Sequence, residues 1–154
     1  MTNTEMSDAA KLAGFGLLAG LAGSLVMLAS QTIEMRLTKR EGSDTPAEAV
    51  EKLSGIEVED KSTEQQLSTA AHFAFGTGLG LGLAALAKVP EPARGIAFFA
   101  SAWGAGTALI AGLGLSDPPT KWDPAKLAID LGHHAVYAAS AAATFVGLRR
   151  LARV

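Results

Sequence analysis

The spacing of the charged residues is the strongest constraint on what this chain can fold into. Three segments of 21 or 22 residues contain no Asp, Glu, Lys or Arg, and a fourth of similar length contains only Asp130. A helix rises about 1.5 Å per residue, so each segment can cross the ~30 Å hydrocarbon core of a bilayer. We therefore predict an all-α integral membrane protein with spans at about 12–33, 66–87, 95–115 and 126–148.

Short proline-containing connections predict that neighbouring spans are antiparallel. Lys88–Arg94 and Ser116–Thr120 each contain two prolines, and Asp123-Pro124 has the capping residue and the proline that open a helix. The prediction is a single transmembrane domain, 1–154, folded as an up-down-up-down four-helix bundle. A soluble bundle of Ala- and Gly-rich helices is the alternative.

The polar connector at 34–65 carries nine acidic residues. Within it, Thr45-Pro-Ala-Glu48 matches a capping box and predicts a short amphipathic helix, about 46–53, that Gly55 would end. We expect this helix to lie on the surface over the mouth of the bundle. The alternative is that it is a docking site for another protein. Ser62 begins a second capping-box pattern and predicts the start of the second long helix.

Composition excludes several classes of function. The net charge of −2 provides no basic footprint for nucleic acid, and the absence of cysteine excludes disulfides and thiolate metal sites. The amino terminus sets Glu5 and Asp8 against Lys11, which is a poor match to the basic start of a cleaved signal peptide, so we expect the first span to be retained.

Two further patterns concern membrane orientation and helix packing. The three-arginine tail and the basic 88–94 turn favour cytoplasmic termini in a bacterial inner membrane. Gly16 and Gly20 in the first span, and Gly78 and Gly82 in the second, are spaced to form small-residue faces that let helices approach closely. Small-residue faces of this kind could also pack against another copy of the chain in a homodimer, or against other subunits of a larger membrane complex.

Polar residues within the spans mark the candidate site. His72 and His134 each lie six or seven residues into their helices, ~10 Å deep at 1.5 Å per residue. Asp130 and Tyr137 share the face of His134 by i, i+3 and i+4 spacing, and the first span ends at the same level. The predicted polar cluster comprises Glu34, His72, Asp130, His134 and Tyr137, with Gln31 and His133 as secondary members.

Three interpretations of this cluster remain open from the sequence. The groups could hydrogen-bond across helices and hold the packing, or form a path for protons or small solutes. A metal or haem site is the third, with His72, His134 and Glu34 as candidate ligands and the metal itself unknown.

The chain also resembles the YagU-like family of small bacterial inner-membrane proteins, whose activity is not established. The resemblance lies in Gly16-Leu-Leu-Ala-Gly20, His72, the Pro-bearing turn, Gly112-Leu-Gly-Leu-Ser-Asp-Pro-Pro119, and Gly132 with His133 or His134, followed by an aromatic residue and an Arg-Arg pair. It covers the spans but not the connector. It implies an inner-membrane location and a role in acid tolerance, and it supplies no catalytic residues.

No P-loop, GxSxG or dinucleotide-binding context is present, because most of the glycines lie inside the spans rather than in a strand-to-helix turn. We therefore expect a non-enzymatic membrane protein, either an accessory or structural subunit or one that handles protons or solutes. The alternative is a metal- or haem-binding membrane protein with a redox role.

Overall fold

The computed structural model describes residues 3–153, with side chains from Asp8 onward, and this part of the chain is all-helical with no β-strand. The ends of the predicted domain, residues 1, 2 and 154, and the side chain of Glu5 lie outside the described part. The elements are α1 Asn3–Thr38, α2 Thr45–Ser54, α3 Lys61–Leu79, α4 Leu81–Ala85, α5 Ala93–Gly112, a 3₁₀ turn at Pro119–Lys121, and α6 Pro124–Ala152.

The second predicted span is not one continuous helix. It was expected over 66–87 with Ser62 as its cap, but α3 begins at Lys61 because the Asp60 carboxylate accepts hydrogen bonds from the backbone N–H groups of Ser62 and Thr63. The helix is then interrupted at Gly80, and α4 ends at Ala85. The first and fourth predicted spans are longer helices than expected, at 36 and 29 residues, whereas α5 is 20 residues long and begins and ends two or three residues earlier than the predicted 95–115.

The helix predicted in the connector is present, although its expected cap is wrong. Thr45 is the first residue of α2, the preceding Asp44 makes no capping bond with its side chain, and the Ser43 hydroxyl accepts the Thr45 N–H at 3.3 Å. The predicted stop is confirmed, because Gly55 adopts the left-handed conformation at φ 72°. At the start of α6, the predicted cap is also confirmed: Asp123 accepts the Lys126 N–H at 2.9 Å.

α2 lies over one end of the long helices. It packs against α3, and its residues Ala47 and Ala49 are buried. Lys52 Nζ donates to the Leu113 carbonyl at 2.6 Å, a group at the C-terminus of α5 that has no partner in the helical ladder. The connector therefore closes the end of the structure at which α3 and α6 begin.

α1 and α6 form the centre of the structure. α1 runs antiparallel to α3, since Gly16 meets Gly80 and Gly20 meets Gly76. α1 is also antiparallel to α6, and α6 is antiparallel to α5, as the residue pairs across both interfaces show: Gly23 with Ala141, Ser30 with His133, Trp103 with Asp130, and Phe98 with Tyr137. The largest fully buried core side chains are Phe98, Phe145 and Leu83.

Glycine brings α1 and α3 into backbone contact. A Cβ added at Gly16 would lie 2.6 Å from the Gly80 oxygen, and one at Gly20 would lie 2.5 Å from the Gly76 oxygen. The predicted close-packing role of Gly16 and Gly20 is confirmed. The predicted small-residue face on the second helix is wrong, because Gly78 faces open space and it is Gly76 and Gly80 that meet α1.

Two helices are long and apolar enough to cross a membrane by length and composition: the Asp8–Thr38 part of α1 and the Ala93–Gly112 helix α5. Within their most apolar windows only 33% and 17% of residues are buried, respectively. Large apolar side chains on α1, such as Leu18, Leu25 and Ile33, are more than half exposed. These two helices therefore present apolar side chains outward as well as inward.

Candidate functional site

The predicted polar cluster lies around the first half of α6, but the structure divides it into three separate contacts. Each contact joins α6 to a different neighbour or pair of neighbours. The first joins α6 to the end of α1, the second joins α6 to α5, and the third joins α6 to both α3 and α1. All three depend on the first half of α6, where polar residues point in several directions around the helix.

The first contact is the pair of Glu34 and His133. His133 Nδ1 lies 2.9 Å from the Ser30 hydroxyl oxygen, and His133 Nε2 lies 3.7 Å from Glu34 Oε2. The His133 side chain is only 9% exposed, and its Nε2 is buried with no hydrogen-bond partner among the described residues. Arg40 holds the same Glu34 oxygen from the solvent side at 2.8 Å, and Thr38 donates to the other oxygen at 2.9 Å.

The second contact is centred on Asp130. The indole N–H of Trp103, on α5, donates to Asp130 Oδ2 at 2.7 Å. His134 Nδ1 lies 2.9 Å from the Asp130 backbone oxygen, one turn earlier, and 3.4 Å from the same carboxylate oxygen. Both side chains are partly exposed, and this arrangement ties α5 to α6 through one carboxylate.

The third contact is built around Tyr137. Its hydroxyl donates to the Gly76 carbonyl of α3 at 2.6 Å. Its ring packs against Gly23 of α1 so closely that a Cβ added at Gly23 would lie 2.9 Å from Tyr137 Cδ2. His72 Nε2 lies 3.5 Å from the Ser24 carbonyl of α1, at the outer limit of a hydrogen bond. Tyr137 is 2% exposed, so this hydroxyl is a fully buried polar group with a partner.

The partner of Glu34 differs from the arrangement expected from the sequence. Glu34 was grouped with His134, whereas the structure sets it against His133. His134 lies against Asp130, which the sequence had placed on the same face of the helix. Successive helical residues point about 100° apart, and α1 covers the His133 side of α6. The amide of Gln31 makes no side-chain hydrogen bond within the described part of the chain.

Sequence reasoning missed Trp103, Ser30 and Arg40 as members of these contacts. Trp103 carried the clearest signal, because an indole N–H in an uncharged span requires an acceptor and Asp130 was the one carboxylate in the fourth span. Ser30 and Arg40 carried no comparable signal, since Ser is common in apolar helices and Arg40 lies in a charged connector.

Within the described residues, no group of three or more His, Asp or Glu side chains is arranged to hold a metal ion. The candidate ligands Glu34, His72 and His134 belong to three different contacts. Each histidine instead has a nearby oxygen: Ser24 O for His72, and Asp130 for His134.

The fold and the site thus define an all-helical protein with two candidate membrane-spanning helices and polar groups at helix interfaces. Comparison with known protein families, curated proteins and solved structures yields no match to this chain.

Proposed function

We propose that this chain is an integral membrane protein in which α1, α3 with α4, α5 and α6 form an up-down-up-down four-helix bundle. Support comes from the low burial of the two apolar helices, because the core helix of a soluble protein with the same composition would be mostly buried. The more than half-exposed Leu18, Leu25 and Ile33 suit contact with acyl chains.

α3 and α6 are less apolar, and the positions of their polar groups fit the same proposal. Polar side chains inside a membrane are stable where they face protein, and both His133 and Tyr137 are buried. Tyr137 satisfies a carbonyl of α3 in this way. The partly exposed Asp130 is hydrogen-bonded by Trp103 of the adjacent helix.

The proposed location is a bacterial inner membrane with both termini cytoplasmic. The supporting observations are the uncharged spans and the arginine-rich end of α6. The resemblance to the YagU-like family remains a prediction, and it agrees with this location and with a role in acid tolerance.

Within that framework, we propose that the protein is non-enzymatic and handles protons through the Glu34–His133 pair. The observation that carries this proposal is the buried His133 Nε2, which lies 3.7 Å from a carboxylate oxygen and has no hydrogen-bond partner in the described structure. Neutral imidazole has one N–H, whereas imidazolium has two. A proton taken up by His133 supplies donors to both Ser30 and Glu34, and it sets a cation beside an anion in a water-poor site.

The charged and titratable groups around His133 define how the pair would work. Arg40 already neutralises Glu34 from the solvent side, so uptake at His133 adds a second cation to one carboxylate. Asp130 and His134 lie on the neighbouring face of α6, where Asp130 is nearer the connector than His133 and His134 is one residue deeper. The groups that we propose to take up the proton are therefore Glu34 and His133, with Arg40 on their solvent side.

The test is proton flux into liposomes containing the purified protein and a pH-sensitive dye. We expect flux above that of empty liposomes, its loss in His133→Asn and Glu34→Gln, and its retention in His72→Asn, a matched histidine variant outside the pair. No flux in the wild-type protein, or equal flux in His133→Asn, contradicts the proposal.

Element analysis and a visible spectrum of the same preparation address the metal- or haem-binding alternative. A stoichiometric metal or a Soret band that disappears in His72→Ala or His134→Ala would favour that alternative. Co-purification of a fixed partner protein would favour an accessory subunit.

A further inference from the structure

An arginine-lined cleft lies at the end of the helices opposite the polar cluster. Its volume is about 370 Å³, near the lower end of the ~300–1,000 Å³ range of small-molecule sites. The turn before α5, the start of α5 and the end of α6 form its walls. The lining residues are Glu91, Arg94, Val146, Arg149, Arg150 and Arg153.

The inner wall of this cleft is rigidly built. Arg94 is 7% exposed, donates to Glu91 Oε1 through Nε at 2.8 Å and through its second terminal nitrogen at 2.7 Å, and lies over the Phe145 ring at 5.9 Å. Arg149 lies over the same ring at 5.8 Å. Both guanidinium groups donate to one carbonyl, that of Ala87, at 3.3 and 3.1 Å. Two cations are thereby held around one aromatic ring.

The outer wall of the cleft adds two exposed arginines, Arg150 and Arg153. Among the described lining residues, Glu91 is the one carboxylate against four arginines, and it is engaged by Arg94. Arg150 and Arg153 are exposed, and the described part of the chain offers neither of them an acidic partner. Arg153 has a left-handed backbone at φ 54°, which turns the chain at the end of α6 beside the cleft.

The chemistry of the cleft matches a phosphate group. The planar guanidinium of arginine donates paired N–H groups to phosphate oxygens, and several arginines around one site favour an anion with several oxygens. A carboxylate ligand would use fewer of these donors, and the exposed Arg150 and Arg153 contribute two positive charges to the described lining.

We propose that this cleft binds the phosphate of an anionic phospholipid head group. The proposal rests on the membrane location proposed above, in which the cleft lies at the bilayer surface, where basic pockets between helices bind such head groups. An apolar group beside the arginines favours a lipid over free phosphate, because Val146 lines the cleft together with them.

The test is native mass spectrometry of the full chain in detergent, titrated with phosphatidylglycerol or with phosphatidylcholine. Surface basic residues each contribute a modest attraction to anionic lipid, so we expect a preference of about tenfold for phosphatidylglycerol. Arg150→Gln combined with Arg153→Gln should abolish this preference without unfolding the protein, because both side chains are exposed. Arg36→Gln combined with Lys39→Gln removes the same charge at the other end and should leave the preference unchanged.

Two further experiments distinguish a lipid head group from free phosphate, and a failure of the cleft proposal from a failure of the membrane proposal. Inorganic phosphate that displaces phosphatidylglycerol at equal concentration would overturn the lipid assignment in favour of free phosphate. Equal binding of both lipids, or loss of the preference in both double variants, would also overturn it. Flotation with liposomes tests the membrane location separately: a protein that floats but shows no lipid preference refutes the cleft alone, and one that stays in solution refutes the membrane location.

Discussion

Replacing Gly20 with alanine tests whether backbone contact between α1 and α3 holds these helices together. The added Cβ would lie 2.5 Å from the Gly76 oxygen, 2.7 Å from the Thr77 oxygen and 3.0 Å from the Thr77 Cα. All three are backbone atoms, so no side-chain rotation relieves the overlap. Ordinary contact begins at 3.4 Å, which requires the two helices to separate by about 0.9 Å at this point.

The expected magnitude follows from two opposing effects. Overpacking a close interface costs about 1–3 kcal/mol, and here the separation also loosens the Gly16–Gly80 contact one turn away. Alanine in place of glycine within a helix returns about 0.5–1 kcal/mol through reduced backbone entropy of the unfolded chain. We expect Gly20→Ala to lower the free energy of unfolding by about 1–2 kcal/mol.

The assay is unfolding in mixed micelles with increasing sodium dodecyl sulfate, followed by circular dichroism. Gly14→Ala is the matched control, because it lies on the same helix and its added Cβ has nothing within 4 Å. We expect that variant to be as stable as the wild-type protein or slightly more stable. If Gly20→Ala unfolds at the same detergent fraction as Gly14→Ala, the helices are not held at this contact and the reasoning is refuted.

Two further predictions concern polar contacts. Trp103→Phe should cost about 1 kcal/mol in the same assay, because Asp130 loses an indole donor within the helix interface. Trp122→Phe removes an indole hydrogen bond to the Asp117 carbonyl in an exposed loop, where water can replace the donor, and should cost less; equal effects would contradict the assigned contact. At the start of α3, hydrogen bonds from the Thr63 hydroxyl and N–H and from Ser62 lower the pKa of Asp60 to about 2. The carboxylate therefore stabilises the helix start above the ordinary pKa of 3.8, and this contribution is lost as the pH falls through about 2. The Thr63 amide resonance should report a midpoint near pH 2 in the wild type and none in Asp60→Asn, which keeps a capping side chain without a titrating group; a midpoint near 3.8 would contradict the hydrogen-bonded cap.

Local features of the chain were predictable where a few adjacent residues decide the structure. Asp123 caps α6 and Gly55 ends α2 as expected, because each requires only its own side chain or backbone conformation. The start of α3 was predicted too late, because Asp60 and Ser62 are both residue types that cap helices and the prediction chose Ser62, which has Gln65 three positions on. Competition between adjacent capping groups depends on loop geometry, which the local pattern does not contain.

The sequence by itself determined the helical class, the long uncharged segments and the level along the helices at which the polar side chains lie. Those properties follow from the rise per residue and from charge spacing, which are local. The tertiary structure decided the partners: His133 rather than His134 meets Glu34, and Gly76 and Gly80 rather than Gly78 and Gly82 meet α1. Rotating a helix about its axis by one residue, about 100°, exchanges these partners without altering its periodicity. The rotation is set by the combined packing of α1, α3 and α5 against α6, and so it emerges only when all the helices are together.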